Sequence, residues 1–185
     1  HFAADARVAI SGVLCNNTKA GVIDRCRRLG LPLYCFNRPA FDNPEGLLAL
    51  LAGLEPDLIV LAGFMRTLSP YFIDRVNTDR TRPRIMNIHP AILPAFPGVD
   101  GYGDTFAYGC KVGGCTVHFI DYGEDTGPII GQRSFPIQPG DTLDTIKKNG
   151  LTEEWILYPH CIQLYAQGKL EVVDNGHRRT VLIAP

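Results

Sequence analysis

The stretch Asp57-Leu58-Ile59-Val60-Leu61-Ala62 decides the fold. It is a continuous apolar run of strand length, the pattern of a strand buried on both faces in a sheet that helices cover. Upstream, Asn43-Pro44-Glu45 opens a helix running to about Leu54, with asparagine as cap and proline in the first turn. Before it, Leu31 to Phe36 reads as a short strand. Lys19 to Leu29 carries Val22, Ile23, Cys26 and Leu29 at helical spacing, with Gly30 as a stop. Arg7 to Leu14 is aliphatic and β-branched and reads as a strand that Asn16-Asn17 ends. Downstream, Ser69-Pro70 starts a short helix ending near Val76, and Arg84 to Ile88 is the next strand. Strand and helix alternate, which gives an α/β fold with a mostly parallel open sheet flanked by helices. From about Gly113 the pattern changes. Cys115 to Ile120 and Ile129 to Ile137 are consecutive strands, so the sheet is mixed at one side. Asp141-Thr142 caps a long helix from about Leu143 to Gln167, and the strands Leu170 to Val173 and Thr180 to Ile183 finish the chain.

A length of 185 residues suggests one domain, 1–185, and 45% apolar with 20% charged residues is ordinary for a globular protein. Eighteen basic and 19 acidic residues leave a net charge of −1. That balance gives no long-range field for nucleic acid or an anionic membrane, so neither is expected as a partner. No apolar run reaches bilayer length, and no secretory signal stands at the start. The six cysteines form no C-x-x-C pair and have no histidine at zinc-like spacing. Buried free thiols in a reducing cytoplasm, and no metal, are the expectation.

In open parallel sheets ligands bind beyond the carboxyl ends of the strands. Gly63-Phe64-Met65-Arg66 and Asn87-Ile88-His89-Pro90 stand at such ends and should open into one crevice. In extended chain Asn87 and His89 face the same side. An asparagine amide can donate to a developing oxyanion, and a histidine can shuttle a proton. The loop Asp121 to Pro128 follows a strand containing His118 and holds Asp121, Glu124 and Asp125. An aspartate beside a histidine stabilises its imidazolium, the third-partner role in many acid–base sites. Gly63 lets backbone approach a ligand closely, so the Met65 to Leu68 backbone could bond a flat heterocycle. Each signal alone also has a plain structural reading: a turn cap, a hydrogen-bonded histidine, a solvated acidic loop.

Taken together and in order, LAGFMRTLSP, MNIHPAILPAFPG and GCTVHFIDYGEDTGPII closely resemble the folate-dependent formyltransferases of the glycinamide ribonucleotide transformylase type, from about Ala6 to Val173. The resemblance implies a Rossmann-like fold and transfer of a formyl group from 10-formyltetrahydrofolate, a co-substrate, to the amine of glycinamide ribonucleotide in purine synthesis. It implies Asn87, His89 and Asp125 as the catalytic set, with His118 supporting them. On the folate side it implies Met65, Arg66, Thr67 and Leu68, the loop Asp121, Tyr122, Gly123, Glu124 and Asp125, Asn87 again, and apolar walls from Leu61, Ile73 and Ile85. Glu154 matches a glutamate that contacts the ribonucleotide. Leu151 stands where a polar residue often does, and Trp155 replaces a common histidine. The resemblance leaves room for a homodimer.

The family begins with a strand, a glycine-rich phosphate loop and a helix, and nothing in this sequence matches that unit. Because that strand is central in the family, its lack should leave unpaired backbone in a buried place. Gly98 to Gly109, with Tyr102 and Asp104, receives no assignment. Two other activities fit the same motifs: a formyltetrahydrofolate hydrolase, which passes the formyl group to water, and a folate-binding remnant without transfer.

Overall fold

A computed structural model describes residues 7–36 and 43–185. The chain divides into two compact units, one up to Asp57 and one spanning Leu58–Pro185. In the first, β1 (Val13–Cys15) and β2 (Leu33–Cys35) pair in parallel, Val13 opposite Leu33. Helices α1 (Val22–Leu29) and α2 (Pro44–Leu54) also belong to it. The Asn43 side chain caps α2 by accepting from the backbone N–H groups of Glu45 and Gly46. The strand expected from Arg7 is confined to Val13–Cys15, where β2 supplies a partner backbone. Helix α1 starts three residues later than Lys19 because Asn17 turns the chain first: its side chain accepts from Lys19 N and its carbonyl from Ala20 N.

The second unit holds β3 (Ile59–Leu61), α3 (Pro70–Val76), β4 (Ile85–His89), α4 (Gly101–Tyr108), β5 (Val112–Phe119), β6 (Ile129–Pro136), α5 (Leu143–Ala166), β7 (Leu170–Asp174) and β8 (Arg179–Ile183). Its main sheet runs β3-β4-β5-β6, with β3 and β4 parallel and β5 antiparallel to both β4 and β6. Strands β7 and β8 form a hairpin. The α/β alternation and the change to antiparallel strands past Gly113 agree with the sequence reading.

Alternation along β5 sorts the two faces of this sheet. Cys115, Val117 and Phe119 join Met86 and Ile130 in a core with Leu157, Tyr158, Cys161 and Tyr165 of α5 and Leu170 and Val172 of β7. The Tyr158 hydroxyl donates to the carbonyls of Leu61 and Met86, tying α5 to the carboxyl end of β3 and to β4. Thr116 and His118 point to the other face, and the register sets His118 opposite Asn87 and Thr116 opposite His89. One face of β4 and β5 is thus spent on the core, which frees the other for polar side chains.

One expectation needs correction, and one unassigned stretch proves to be regular. Strand β3 is not buried on both faces: none of its three residues is fully buried and Val60 is 41% exposed. Among the described residues it pairs only with β4, so it is an edge strand of its sheet. The stretch Gly98 to Gly109 contains a helix, α4. The Asp100 side chain accepts from Gly103 N at its start, and Gly109 takes a left-handed φ of 81° at its end.

The cysteines are all free; Cys26, Cys115 and Cys161 are buried, Cys15 and Cys110 partly so, and Cys35 is exposed. Burial pushes the Cys115 and Cys161 thiols up to about 12, so both stay protonated and inert at neutral pH. Among the described residues, no helix is long and apolar enough to cross a membrane.

Candidate active site

Asn87 and His89 are the third and last residues of β4, on the face opposite the core. Pro90 ends the strand and sends the chain toward a tight loop. There Phe96 and Gly98 take φ values of 54° and 107°. This loop returns the Phe96 carbonyl to His89, with Nε2 donating to it at 2.7 Å. The other ring nitrogen, Nδ1, lies 3.2 Å from Asp125 Oδ2. Both nitrogens of this buried ring face acceptors, and both acceptors are satisfied when each nitrogen carries a hydrogen.

Asp125 reaches the site from the loop joining β5 to β6. It sits at φ 52°, a left-handed conformation that aspartate tolerates better than most residues. Gly127 lets that loop return against β5: a Cβ there would stand 1.8 Å from the Phe119 carbonyl oxygen. The carboxylate accepts from Gly98 N at 2.9 Å through Oδ2, while Oδ1 lies 3.5 Å from His118 Nε2. Burial alone would raise the Asp125 pKa, but hydrogen bonds from His118 and Gly98 and the nearby charges of His89 and His118 outweigh it. The carboxyl is held below its ordinary value.

His118 is fully buried. Its Nδ1 donates to the Phe119 carbonyl at 2.9 Å, which leaves Nε2 facing Asn87 Nδ2 at 3.4 Å as well as Asp125. Asn87, His89, His118 and Asp125 therefore form one connected polar cluster on three elements.

A cleft of about 150 Å³ opens beside the cluster, lined by residues from both strand ends named in the sequence. Leu61, Met65, Arg66, Thr67, Leu68, Asn87, Asp121, Gly123, Glu124 and Asp125 line it, joined by Phe64, Gly98, Val99 and Ile120. Other sequence candidates fall elsewhere. Ile73 and Ile85 are core residues, 4% and 0% exposed, and do not line the cleft. Tyr122 is 55% exposed and hydrogen-bonds Asp74 of α3 through its hydroxyl. His89 is 2% exposed and does not line the cleft, but its partner Asp125 does. Leu151 and Glu154 lie on α5, outside the lining. Phe64 was visible in the sequence as part of the Gly63–Arg66 turn. Gly98 and Val99 had no local signal, because only the loop beyond Pro90 brings them back. Among the described residues, no group of three or more His, Cys, Asp and Glu side chains could hold a metal ion.

A buried histidine between a carboxylate and a carbonyl, beside an asparagine amide in a cleft, equips the site for acid–base chemistry and oxyanion stabilisation. The sequence comparisons narrow the class. A family model described as formyl transferase matches residues 3–162, and the chain belongs to that family. It is 37% identical over 165 residues to a phosphoribosylglycinamide formyltransferase of Bacillus subtilis, covering 86% of this chain and 80% of that protein. It is 44% identical over 133 residues to the protein of the same name in Mycobacterium tuberculosis, covering 71% of this chain but only 59% of that protein. A crystal structure of phosphoribosylglycinamide formyltransferase from Anaplasma phagocytophilum superposes with a TM-score of 0.88 at 32% identity, covering 97% of this chain and 84% of that one.

Proposed function

We propose that this protein transfers a formyl group from 10-formyltetrahydrofolate to the amine of glycinamide ribonucleotide, a step of purine synthesis. The observation that carries the reading is the junction of Asn87, His89 and Asp125 beside a cleft walled by the Leu61–Leu68 segment and the Asp121–Asp125 loop. Met65, Arg66, Thr67 and Leu68 line the cleft, where their backbone would bond the folate heterocycle. The amine nitrogen attacks the formyl carbon and a C–N bond forms. The carbonyl oxygen becomes an oxyanion, and Asn87 Nδ2 donates to it from the cleft wall. His89, when protonated, supplies positive charge behind that position. Asp125 keeps the charge in place and, through water, helps carry the amine proton to the departing folate nitrogen as its C–N bond breaks. Glu154 belongs to the ribonucleotide side. The donor is a co-substrate, since its formyl group is consumed. Balanced charge and six free cysteines fit a reducing cytoplasm.

The test is a transfer assay with both substrates. His89→Ala should abolish turnover and leave folate affinity, measured by titration calorimetry, nearly unchanged. A variant that kept more than about a tenth of wild-type turnover would remove His89 from the mechanism, since one lost oxyanion stabiliser typically costs about 100- to 1000-fold. Release of formate without any formylated product would favour the hydrolase reading instead, and folate binding without either product the remnant.

A further inference from the structure

Tyr102, in the first turn of α4, is 6% exposed. Its ring packs with Phe135 and Ile146, and the Phe135 ring centroid lies 6.4 Å away. Its hydroxyl donates to Glu154 Oε1 at 2.7 Å. Two glycines make the fit. A Cβ on Gly101 would stand 2.7 Å from the Pro90 carbonyl oxygen, so α4 starts directly against the residue that follows His89. A Cβ on Gly150 would stand 2.1 Å from Tyr102 Cζ and 2.3 Å from its hydroxyl, so α5 is cut away where the phenol arrives.

The carboxylate at the end of this contact is unusual in its surroundings. Burial pushes the Glu154 carboxyl up, and the Tyr102 hydrogen bond works against that rise. Its charge is felt by Cys115 on β5 and Tyr158 on its own helix, and neither is a cation. Arg133 on β6 is paired with the neighbouring Glu153. Among the described residues Tyr102 is the one hydrogen-bond donor to Glu154. A half-buried carboxylate with a single donor is costly, and a substrate that brings N–H or O–H groups would relieve that cost. Leu151 and Trp155, 42% and 68% exposed, stand on the same stretch of α5 and leave it open to an incoming molecule.

We propose that Tyr102 is a positioning residue. Its hydroxyl fixes Oε1 of Glu154, which leaves Oε2 as an oriented acceptor for N–H or O–H groups of the amine-bearing substrate, and Gly150 is the notch that makes this possible. The proposal rests on the formyl-transfer reading above and adds to it a specificity element that no motif marked.

The experiment is steady-state transfer by Tyr102→Phe, varying each substrate in turn across a pH series. The amine substrate's KM should rise about tenfold, the loss expected for one hydrogen bond to a charged group, with kcat and the folate KM little changed. Without the hydroxyl, burial acts on Glu154 unopposed, so the acid-side rise in that KM should move to higher pH. In a Glu154→Ala background Tyr102→Phe should add nothing, because the two side chains act as one unit. An unchanged amine KM, or equal losses for both substrates with an unmoved pH profile and additive effects in the double variant, would overturn the proposal while leaving formyl transfer standing. A wild-type protein that forms no formylated product would overturn the function reading and this one with it.

Discussion

Asp125 is where both histidines converge, and burial and hydrogen bonding act on it in opposite directions. Hydrogen bonding wins, so the folded pKa lies below the unfolded one. The stability this contributes is fully present above the unfolded value of about 3.9 and is lost as pH falls through the folded value. Asp125→Asn should therefore cost stability at pH 7, and the gap to wild type should close in urea titrations below about pH 4. The same substitution should lower turnover and displace its pH profile, because His89 loses its anionic neighbour. A profile that stays in place would separate Asp125 from His89 function. Glu154 carries the opposite sign. Its raised pKa means its contribution is present below the unfolded value and lost as pH rises through the folded one, so the ionised group burdens the fold at neutral pH. Glu154→Gln should raise the melting temperature at pH 7.5 more than at pH 4. Extended spacing and an acidic loop after a strand marked Asn87, His89 and Asp125 as candidates in the sequence, and the family resemblance gave them their roles. Tyr102 was not so marked, since its partner lies 52 positions away.

At the scale of elements, the start and stop residues performed as their chemistry requires. Asn43, Ser69 and Thr142 each cap a helix through the side chain, and all three were visible in the sequence. Helix α4 was missed although Asp100 and Gly109 bracket it. Its eight residues include two glycines and no helical apolar stripe, and packing of Tyr102 and Thr105 holds it in place of propensity. The loop joining β5 to β6 depends on one close approach, where Gly127 meets the Phe119 carbonyl. Gly127→Ala should destabilise the protein by about 1–3 kcal/mol, the usual range for overpacking, and should also lower turnover because Asp125 is carried on the same loop. Urea unfolding together with the transfer assay checks this. A stable but inactive variant would place the whole effect on Asp125.

For the whole molecule, the two compact units differ in how they are secured. The second unit carries the fully buried residues Ile85, Met86, Cys115, Val117, Phe119 and Ile146, whereas the described residues of the first include the fully buried Cys26 and two strands of three residues each. Amide hydrogen exchange should be slowest in β4 and β5 and much faster in β1 and β2. Equal protection in both would show that the first unit is secured by more than its own pairing. The sequence by itself determined the α/β alternation and the antiparallel strands past Gly113, because period and cap chemistry act over a few residues. It misjudged β3, since an apolar run reports what a strand can bury and only the packed sheet decides what covers it. Tertiary structure alone decided that His89 lies between Asp125 and the Phe96 carbonyl, that Ile73 and Ile85 belong to the core and leave the cleft to others, and that Tyr102 reaches Glu154. Those facts depend on contacts between residues far apart in the chain, and chain closure over such distances is written in no local pattern.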